Sequence, residues 1–285
     1  MYFNLDKLNI KIIDIDELFS TKFTFIYNGK KYFYKKVSKE KELYNELIAE
    51  MIAKDLGIPC AHYMLGEHDN ACGVVSEYFD TSNCITMETL LENFYIRSKR
   101  VEKSASILYD LNNFEDISFA FKSLFSQEIA AKLIEDLIEI FFFDVIIGNN
   151  DRHPGNYGLI ITDNEVKFTP LFDNEKLLTE ESVFFGQYAL LATREDTSEE
   201  NIFHKFINAL PIEYWEKFQT MLEVIRPENL KRIFKILNQE GVEIPFQIKL
   251  ELILKFEMNY NLIKEFLNNK KPKTKLKISG DQHVF

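Results

Sequence analysis

The densest group of polar residues in this sequence is the run from Gly148 to Asn156, which directly follows the most apolar segment of the chain. A buried helix that ends in a polar loop is a common way to present a functional site, because the helix fixes where the loop lies. Pro154-Gly155 suits the central positions of a type II turn. Such a turn would bring Asn156 back towards Asp151, so that their side-chain oxygens share one space.

A further acid, Asp173, lies in the next loop of the chain. Short strands predicted at 158–162 and 166–169 form a hairpin, which returns Asp173 to the same end as Asn156. Amide and carboxylate oxygens are the ligands that Mg²⁺ and Mn²⁺ prefer, and Asp151 remains available to take a proton from a hydroxyl group. A zinc site is not indicated, because the His residues are scattered and no Cys lies nearby.

The first third of the chain has the pattern of a small sheet with one helix. Alternating aromatic runs on both sides of Asn28-Gly29 predict a hairpin over 22–37, since that dipeptide suits a tight turn. Apolar residues at helical spacing then predict a helix from Lys39 to Leu56, which Gly57 ends. A second strand pair is predicted at 62–65 and 72–79.

Beyond Thr81 the apolar periodicity is mostly helical, with predicted helices at 86–98, 113–125 and 126–147 and further helical segments from 199 to 267. The predicted fold class is therefore α+β, with a small N-terminal lobe over residues 1–80 and a larger, mostly helical lobe over 81–285. The last part of the second lobe, 270–285, is basic and is expected to be flexible.

Asp151-Arg152-His153 with Asn156, followed by a hairpin and Phe172-Asp173, resembles the catalytic and metal-binding loops of the HipA-like serine/threonine kinases. That family includes the toxin kinases HipA and HipT and the smaller CtkA-like proteins. The resemblance implies a bilobal protein-kinase-like fold that binds ATP with Mg²⁺, or with Mn²⁺. It assigns the base to Asp151 and the metal to Asn156 and Asp173, while Arg152 and His153 brace the catalytic loop, with contact to phosphate as the alternative for His153.

The resemblance also implies a strand lysine that holds the nucleotide and a helix acid that holds this lysine. Lys35 and Glu46 match those positions in order and spacing. Lys36 is the rival of Lys35, because neighbouring strand residues point to opposite faces and only one can enter the cleft. Glu50, one helical turn beyond Glu46, could likewise take its place.

The hinge implied by the resemblance runs from Ser76 to Phe79, so Glu77 and Phe79 are predicted to lie against the adenine of ATP. The loop before the first strong strand, Leu18 to Lys22, has no glycine, so it departs from the glycine-rich loop of ordinary protein kinases. HipA-like kinases can carry regulatory phosphoserines in this region. Ser20 and Thr21 are therefore candidates for autophosphorylation.

The charge balance of the chain, with 34 Lys and Arg against 45 Asp and Glu, gives a net charge of −11. Such a surface repels polyphosphate unless its basic residues are focused in one place, so neither direct nucleic-acid binding nor a membrane partner is expected. The N-terminus has neither the basic start nor the apolar run of a signal peptide. A bacterial, cytoplasmic location is expected, and secretion as an effector stays open.

The leading hypothesis is an ATP-dependent protein kinase that phosphorylates Ser or Thr in a protein substrate, with a toxin-like or effector-like role. Asp-Arg-His-x-x-Asn also occurs in phosphoinositide kinases, so a lipid or small-molecule kinase is one alternative. A nucleotide-binding pseudokinase that serves as an interaction module is the other. The sequence leaves open the substrate, an antitoxin or host-protein partner, and the oligomeric state.

Overall fold

The computed structural model describes residues 2–15, 21–78, 83–100, 102, 107–149, 151–178 and 212–269. The N-terminal part is built on a six-stranded sheet. Its strands are β1 (Tyr2–Asn4), β2 (Lys11–Ile15), β3 (Lys22–Tyr27), β4 (Lys30–Lys36), β5 (Tyr63–His68) and β6 (Ala71–Glu77). They lie in the order β1-β5-β6-β4-β3-β2. The β1–β5 pair is parallel and the other neighbouring pairs are antiparallel.

The hairpin predicted around Asn28-Gly29 is confirmed. Asn28 and Gly29 have φ values of 50° and 78°, which is the left-handed backbone that a two-residue hairpin turn requires at both central positions. The β3–β4 register pairs Lys22 with Lys35 at the open end of this hairpin. Residues directly opposite each other in an antiparallel pair project from the same face. The register therefore places both lysines on one side of the sheet.

Helix α1 (Glu40–Leu56) packs on β5 and β6 and ends where the sequence predicts. Gly57 stops it with a φ of 73°, a left-handed cap that glycine adopts without steric cost. At the start of the helix, the Glu42 carboxylate accepts hydrogen bonds from the main-chain N–H groups of Ser38 and Lys39. These two caps fix the ends of α1 and hence the position of Glu46 along the helix.

The rest of the described chain is mainly helical. Its elements are β7 (Cys84–Thr86), α2 (Met87–Leu91), a π-helical stretch (Glu92–Arg97), α3 (Ile107–Asp110), α4 (Phe114–Leu124), α5 (Gln127–Ile147), β8 (Gly158–Ile161), β9 (Val166–Phe168), α6 (Ile212–Val224), α7 (Pro227–Gln239) and α8 (Phe246–Asn269). Strands β7, β8 and β9 form a second antiparallel sheet. The predicted 158–162 and 166–169 hairpin is therefore present, whereas the helix predicted at 86–98 divides into α2 and the π-helical stretch.

The apolar side chains form two clusters, on opposite faces of the six-stranded sheet. The larger one joins α1 to the helices that follow, and within it Phe142 stacks on Phe218 with ring centroids 4.2 Å apart. The smaller one covers the other face with aromatic residues such as Phe25 and Tyr34. Phe and Tyr thus supply much of both cores, which agrees with an interior well filled by aromatic side chains.

A sheet with one main helix, followed by a mostly helical part, confirms the α+β fold class. The lobe boundary at residue 80 stays a prediction, because 79–82 lie outside the described residues. Within the described part of the chain, no helix combines the length and apolar character needed to cross a membrane.

Candidate active site

Helix α5 delivers the polar loop to a fixed place in the protein. The last turns of α5 are buried, and Phe141, Phe142 and Phe143 are at most 1% exposed. Gly148 ends the helix with a φ of 63° and donates to the Val145 carbonyl. Glycine suits this left-handed position because it has no Cβ. The loop that begins at Gly148 thus starts from a rigid support.

Arg152 joins three parts of this region. The side chain is 1% exposed, and its five N–H donors all meet acceptors. Nε and Nη2 hold the carboxylate of Asp144 on α5 at 3.1 and 2.9 Å. Nη2 also donates to Asn174 Oδ1 at 2.5 Å. Nη1 donates to the main-chain carbonyls of Asn156 and Phe172. Arg152 therefore fixes the loop after α5 against the loop after β9.

Asn156 folds back towards Asp151, as the sequence predicts, and its Nδ2 donates to the Asp151 carbonyl at 3.1 Å. The main-chain N–H of Asn156 also donates to the His153 carbonyl at 2.9 Å, which closes a turn. Because Nδ2 is used inside the loop, Oδ1 is the side-chain atom of Asn156 left for a cation. The amide thus presents an oxygen ligand.

The prediction of a type II turn at Pro154-Gly155 is wrong. A type II turn needs a positive φ at its second central residue, and Gly155 lies outside the left-handed region. Glycine instead allows a close approach, since a Cβ on Gly155 would lie 2.9 Å from His153 Cε1 and the imidazole ring would have to shift. The His153 ring accepts the Gly155 N–H through Nδ1, so it contacts the loop's own backbone.

Asp151 is half-buried, and Asn149 Oδ1 accepts its main-chain N–H at 3.1 Å. Burial raises the pKa of the Asp151 carboxyl above its ordinary value. The charges of Asp173 and Glu175 raise it further, while those of His153 and Lys176 lower it. A raised pKa makes Asp151 a better proton acceptor than an ordinary surface aspartate.

Asp173 lies at the mouth of the β8–β9 hairpin, with a φ of 58°, and its main-chain N–H donates to the hydroxyl of Tyr63. Its carboxylate forms an ion pair with Lys35. Burial raises the pKa of Asp173, but the positive charges of Lys35, Lys22 and Arg152 together outweigh burial and lower it. Asp173 is therefore a carboxylate at neutral pH.

The strand lysine and the helix acid both lie at this site, although they do not hold each other as the resemblance implies. Lys35 ion-pairs with Asp173 and Glu175. Glu46 is 1% exposed and accepts the main-chain N–H of Asn174 at 2.8 Å. Burial raises the pKa of Glu46 to about 8.

Lys36 and Glu50, the alternatives to Lys35 and Glu46, make other contacts. Lys36 is exposed on strand β4, and its main-chain N–H donates to the Thr21 carbonyl. Glu50 accepts the Tyr63 N–H at 2.8 Å and lies 2.7 Å from His62 Nδ1. Of each pair of alternatives, Lys35 and Glu46 are the residues at the site.

A cavity of about 300 Å³ is lined by Lys35, Glu46, Asn156 and Asp173, whereas Asp151 is not part of its described lining. Its charged and polar lining includes Lys22, Lys35, Glu46, Ser76, Glu77, Asn156 and Asp173, and its apolar lining includes Phe33, Ala61, Tyr63, Val74 and Phe172. Glu77 lies at the end of β6 and pairs with Lys30 at 2.9 Å. Phe79, the other predicted hinge residue, lies outside the described residues.

Three further residues at this site were not predicted from the sequence. Lys22 lines the cavity directly across from Lys35, and the signal for it was the hairpin register. Asn174 and Glu175 follow Asp173, where the loop after β9 meets α1 and β4. No local pattern marks them, because their partners are distant in the sequence.

Comparisons with known proteins show the fold and the family of this chain. The serine/threonine-protein kinase CtkA of Helicobacter pylori is 27% identical over 165 residues, which cover 53% of this chain and 48% of CtkA. The chain thus matches about half the length of that relative. A crystal structure of the Helicobacter pylori proinflammatory kinase CtkA is similar with a TM-score of 0.66 and 19% identity, over 95% of this chain and 97% of that one.

The HipA chain in a Shewanella oneidensis complex of HipA, HipB and operator DNA is similar with a TM-score of 0.55 and 15% identity, over 93% of this chain and 74% of that one. At these identities the two structures show a common fold, which confirms the kinase-like architecture. The family model of the HipA-like C-terminal domain matches residues 16–241, which is most of the chain. The chain therefore belongs to the family of HipA-like C-terminal domains.

Proposed function

We propose that this chain is an ATP-dependent protein kinase that transfers the γ-phosphoryl group of ATP to a Ser or Thr hydroxyl of a protein substrate. The observation that carries the proposal is the single cavity that Lys35, Asn156 and Asp173 line together. These residues come from a strand, from the loop after α5 and from the loop after β9. Membership of the HipA-like family and the likeness to CtkA support the same reaction.

The residues present fit a divalent cation. Asp173 supplies an ionised carboxylate and Asn156 supplies Oδ1, and both line the cavity. Oxygen ligands of this kind suit Mg²⁺ and, with similar geometry, Mn²⁺. A cation bound there would neutralise charge on the ATP phosphates. Lys35 and Lys22 add positive charge at the same cavity.

The chain's own residues then account for the transfer step. Asp151 takes the proton of the acceptor hydroxyl onto its carboxylate, and its raised pKa favours that transfer. Arg152 holds the loop after α5 against the loop after β9, so Asp151 and Asp173 keep a constant separation. Val74 and Ala61 provide an apolar surface for the adenine beside the strand end at Glu77. Catalysis rests on positioning and electrostatics more than on covalent chemistry.

The test is to incubate the purified protein with γ-labelled ATP, Mg²⁺ and a cell lysate, next to Asp151→Ala and Asp173→Ala. We expect protein bands, with phosphoserine or phosphothreonine, that are labelled by the wild type above the background from the lysate's own kinases, and no labelling above that background for either variant. Equal labelling by all three would refute the site assignment. Label found only in lipid or small-molecule fractions would favour that class of kinase, and ATP binding without transfer would favour a pseudokinase.

Lys22 offers a prediction on nucleotide affinity. Like charges directly opposite each other in a sheet are unfavourable, so the Lys22–Lys35 pair favours an anion between them. We expect Lys22→Met to raise the KM for ATP about tenfold, since a charged hydrogen bond to phosphate is lost. Lys36→Met, at an exposed position, is the control and should leave the KM unchanged. Equal KM values for both variants would contradict a role for Lys22.

Autophosphorylation at Ser20 or Thr21 also belongs to the proposal. Thr21 precedes β3, at the same end of the hairpin as Lys22, and Ser20 lies outside the described residues. Mass spectrometry after incubation with ATP and Mg²⁺ should detect phosphate on one of them, and none in Asp151→Ala. Finding no phosphate on either residue of the wild type would reject this part. An antitoxin or host-protein partner stays a prediction.

A further inference from the structure

Lys35 has a second carboxylate partner besides Asp173. Its Nζ lies 2.7 Å from Glu175 Oε2, and the side chains of Lys35 and Glu175 are 13% and 18% exposed. Water and salt screen such a shielded pair much less than a pair on the surface. The contact can therefore fix the direction of the ammonium group, which a mobile surface ion pair could not do.

The backbone of Glu175 is itself held by helix α1. Asn45 Nδ2 donates to the Glu175 carbonyl at 2.6 Å and to the Leu177 carbonyl at 3.1 Å. Asn45 is 2% exposed, and its bonds to the Leu177 and Glu175 carbonyls are buried and partly buried, respectively. The Glu175 side chain thus starts from an anchored backbone and ends on Lys35.

Glu46, the acid expected to hold Lys35, is engaged in a different contact. It accepts the main-chain N–H of Asn174 at 2.8 Å, which ties α1 to the loop after β9. Asn174 is 0% exposed and also accepts Arg152 Nη2. Glu46 and Arg152 therefore hold Asn174 from two sides, and the residues on either side of Asn174 are the two partners of Lys35.

We propose that Glu175 is the positioning residue for Lys35, and that Glu46 instead anchors the loop that carries Asp173. The inference rests on the proposed function, in which Lys35 binds phosphate and Asp173 binds the metal. When Asp173 binds a cation, Glu175 is the partner that still holds the ammonium group of Lys35. Glu175 thus takes the role that the resemblance implies for Glu46.

The first test compares Glu175→Gln with Glu165→Gln, which removes the same charge from an exposed acid of the β8–β9 turn region. We expect Glu175→Gln to lower kcat by about 10- to 100-fold, as expected for a lost charged hydrogen bond, with the KM for ATP changed by less than about threefold. Glu175→Asp keeps the charge and should recover part of kcat. A kcat for Glu175→Gln within twofold of Glu165→Gln would overturn the inference.

The second test asks whether Glu175 acts through Lys35. In a Lys35→Met background, Glu175→Gln should cause no further loss of kcat, so the effects of the two substitutions on kcat should be non-additive. Adenosine, which has no phosphate, should bind all variants equally. Additive losses would overturn the inference about Glu175 and leave the proposed function intact. A wild type that binds no ATP and transfers no phosphate would reject the proposed function, and with it this inference.

Discussion

Arg152→Met is expected to lower the free energy of unfolding by about 3–5 kcal/mol, the usual effect of removing one partner of a buried ion pair. The change leaves the Asp144 carboxylate, 2% exposed, without its guanidinium partner. It also leaves the carbonyls of Asn156 and Phe172 without their donor. Each buried acceptor left unpaired adds to the loss, because it gave up water on folding. Urea unfolding with linear extrapolation measures the change.

The matched control is Lys167→Met, which removes a cation that pairs with Glu165 on the surface. Exposed ion pairs contribute about 0–1 kcal/mol, so this variant should unfold close to the wild type. The double variant Asp144→Leu with Arg152→Met removes both buried charges and should be more stable than the sum of the single losses predicts. A loss below about 1 kcal/mol for Arg152→Met would contradict the structural role given to this side chain.

Local chemistry in the sequence predicted several elements of the fold. Asn28-Gly29 requires a hairpin, and Gly57 and Gly148 end their helices because each adopts a left-handed backbone. The approach of Asn156 to Asp151 was predicted for a similar reason, since the intervening Pro-Gly favours a turn. Each of these features depends on residues within one turn of one another, so the sequence contains the necessary information.

The type of that turn could not be predicted from Pro154-Gly155 alone. The loop is held by partners from α2, where the Met87 and Glu88 N–H groups donate to the carbonyls of Tyr157 and Pro154. Such contacts outweigh the small preference of a dipeptide for one turn type. Strand β7 also depends on a distant contact, because it is short and is a strand only through its pairing with β8.

The partners of Lys35 could not be predicted from the sequence, for a related reason. Lys35 and Glu175 are brought together by the packing of α1 and β4 against the loop after β9, and no spacing rule connects positions so far apart. Glu46 lines the cavity, but its hydrogen-bond partner depends on where Asn174 lies. Five of the residues predicted from the sequence, Lys35, Glu46, Glu77, Asn156 and Asp173, line one cavity, but how they pair could not be predicted.

The other large effect is expected from Asp151→Asn, which should lower kcat for phosphoryl transfer by about 10²- to 10⁴-fold, the usual contribution of a positioned base. The amide cannot accept the hydroxyl proton, while its size and its main-chain bonds to Asn149 and Asn156 can be kept. Asp151 does not line the described part of the cavity that we propose for the nucleotide. The dissociation constant for ATP with Mg²⁺ should therefore change by less than about threefold.

This separation of kcat from binding distinguishes Asp151 from the two predicted metal ligands. Asp173→Asn removes charge from the cavity itself, so it should weaken ATP binding in the presence of Mg²⁺ as well as lower kcat. Asp163→Asn, at an exposed position in the β8–β9 hairpin, is the control and should change neither quantity. If Asp151→Asn kept kcat within about tenfold of the wild type, proton transfer would not depend on this carboxylate. Rate measurements with a fixed protein substrate and calorimetric ATP titrations of the same preparations decide between these outcomes.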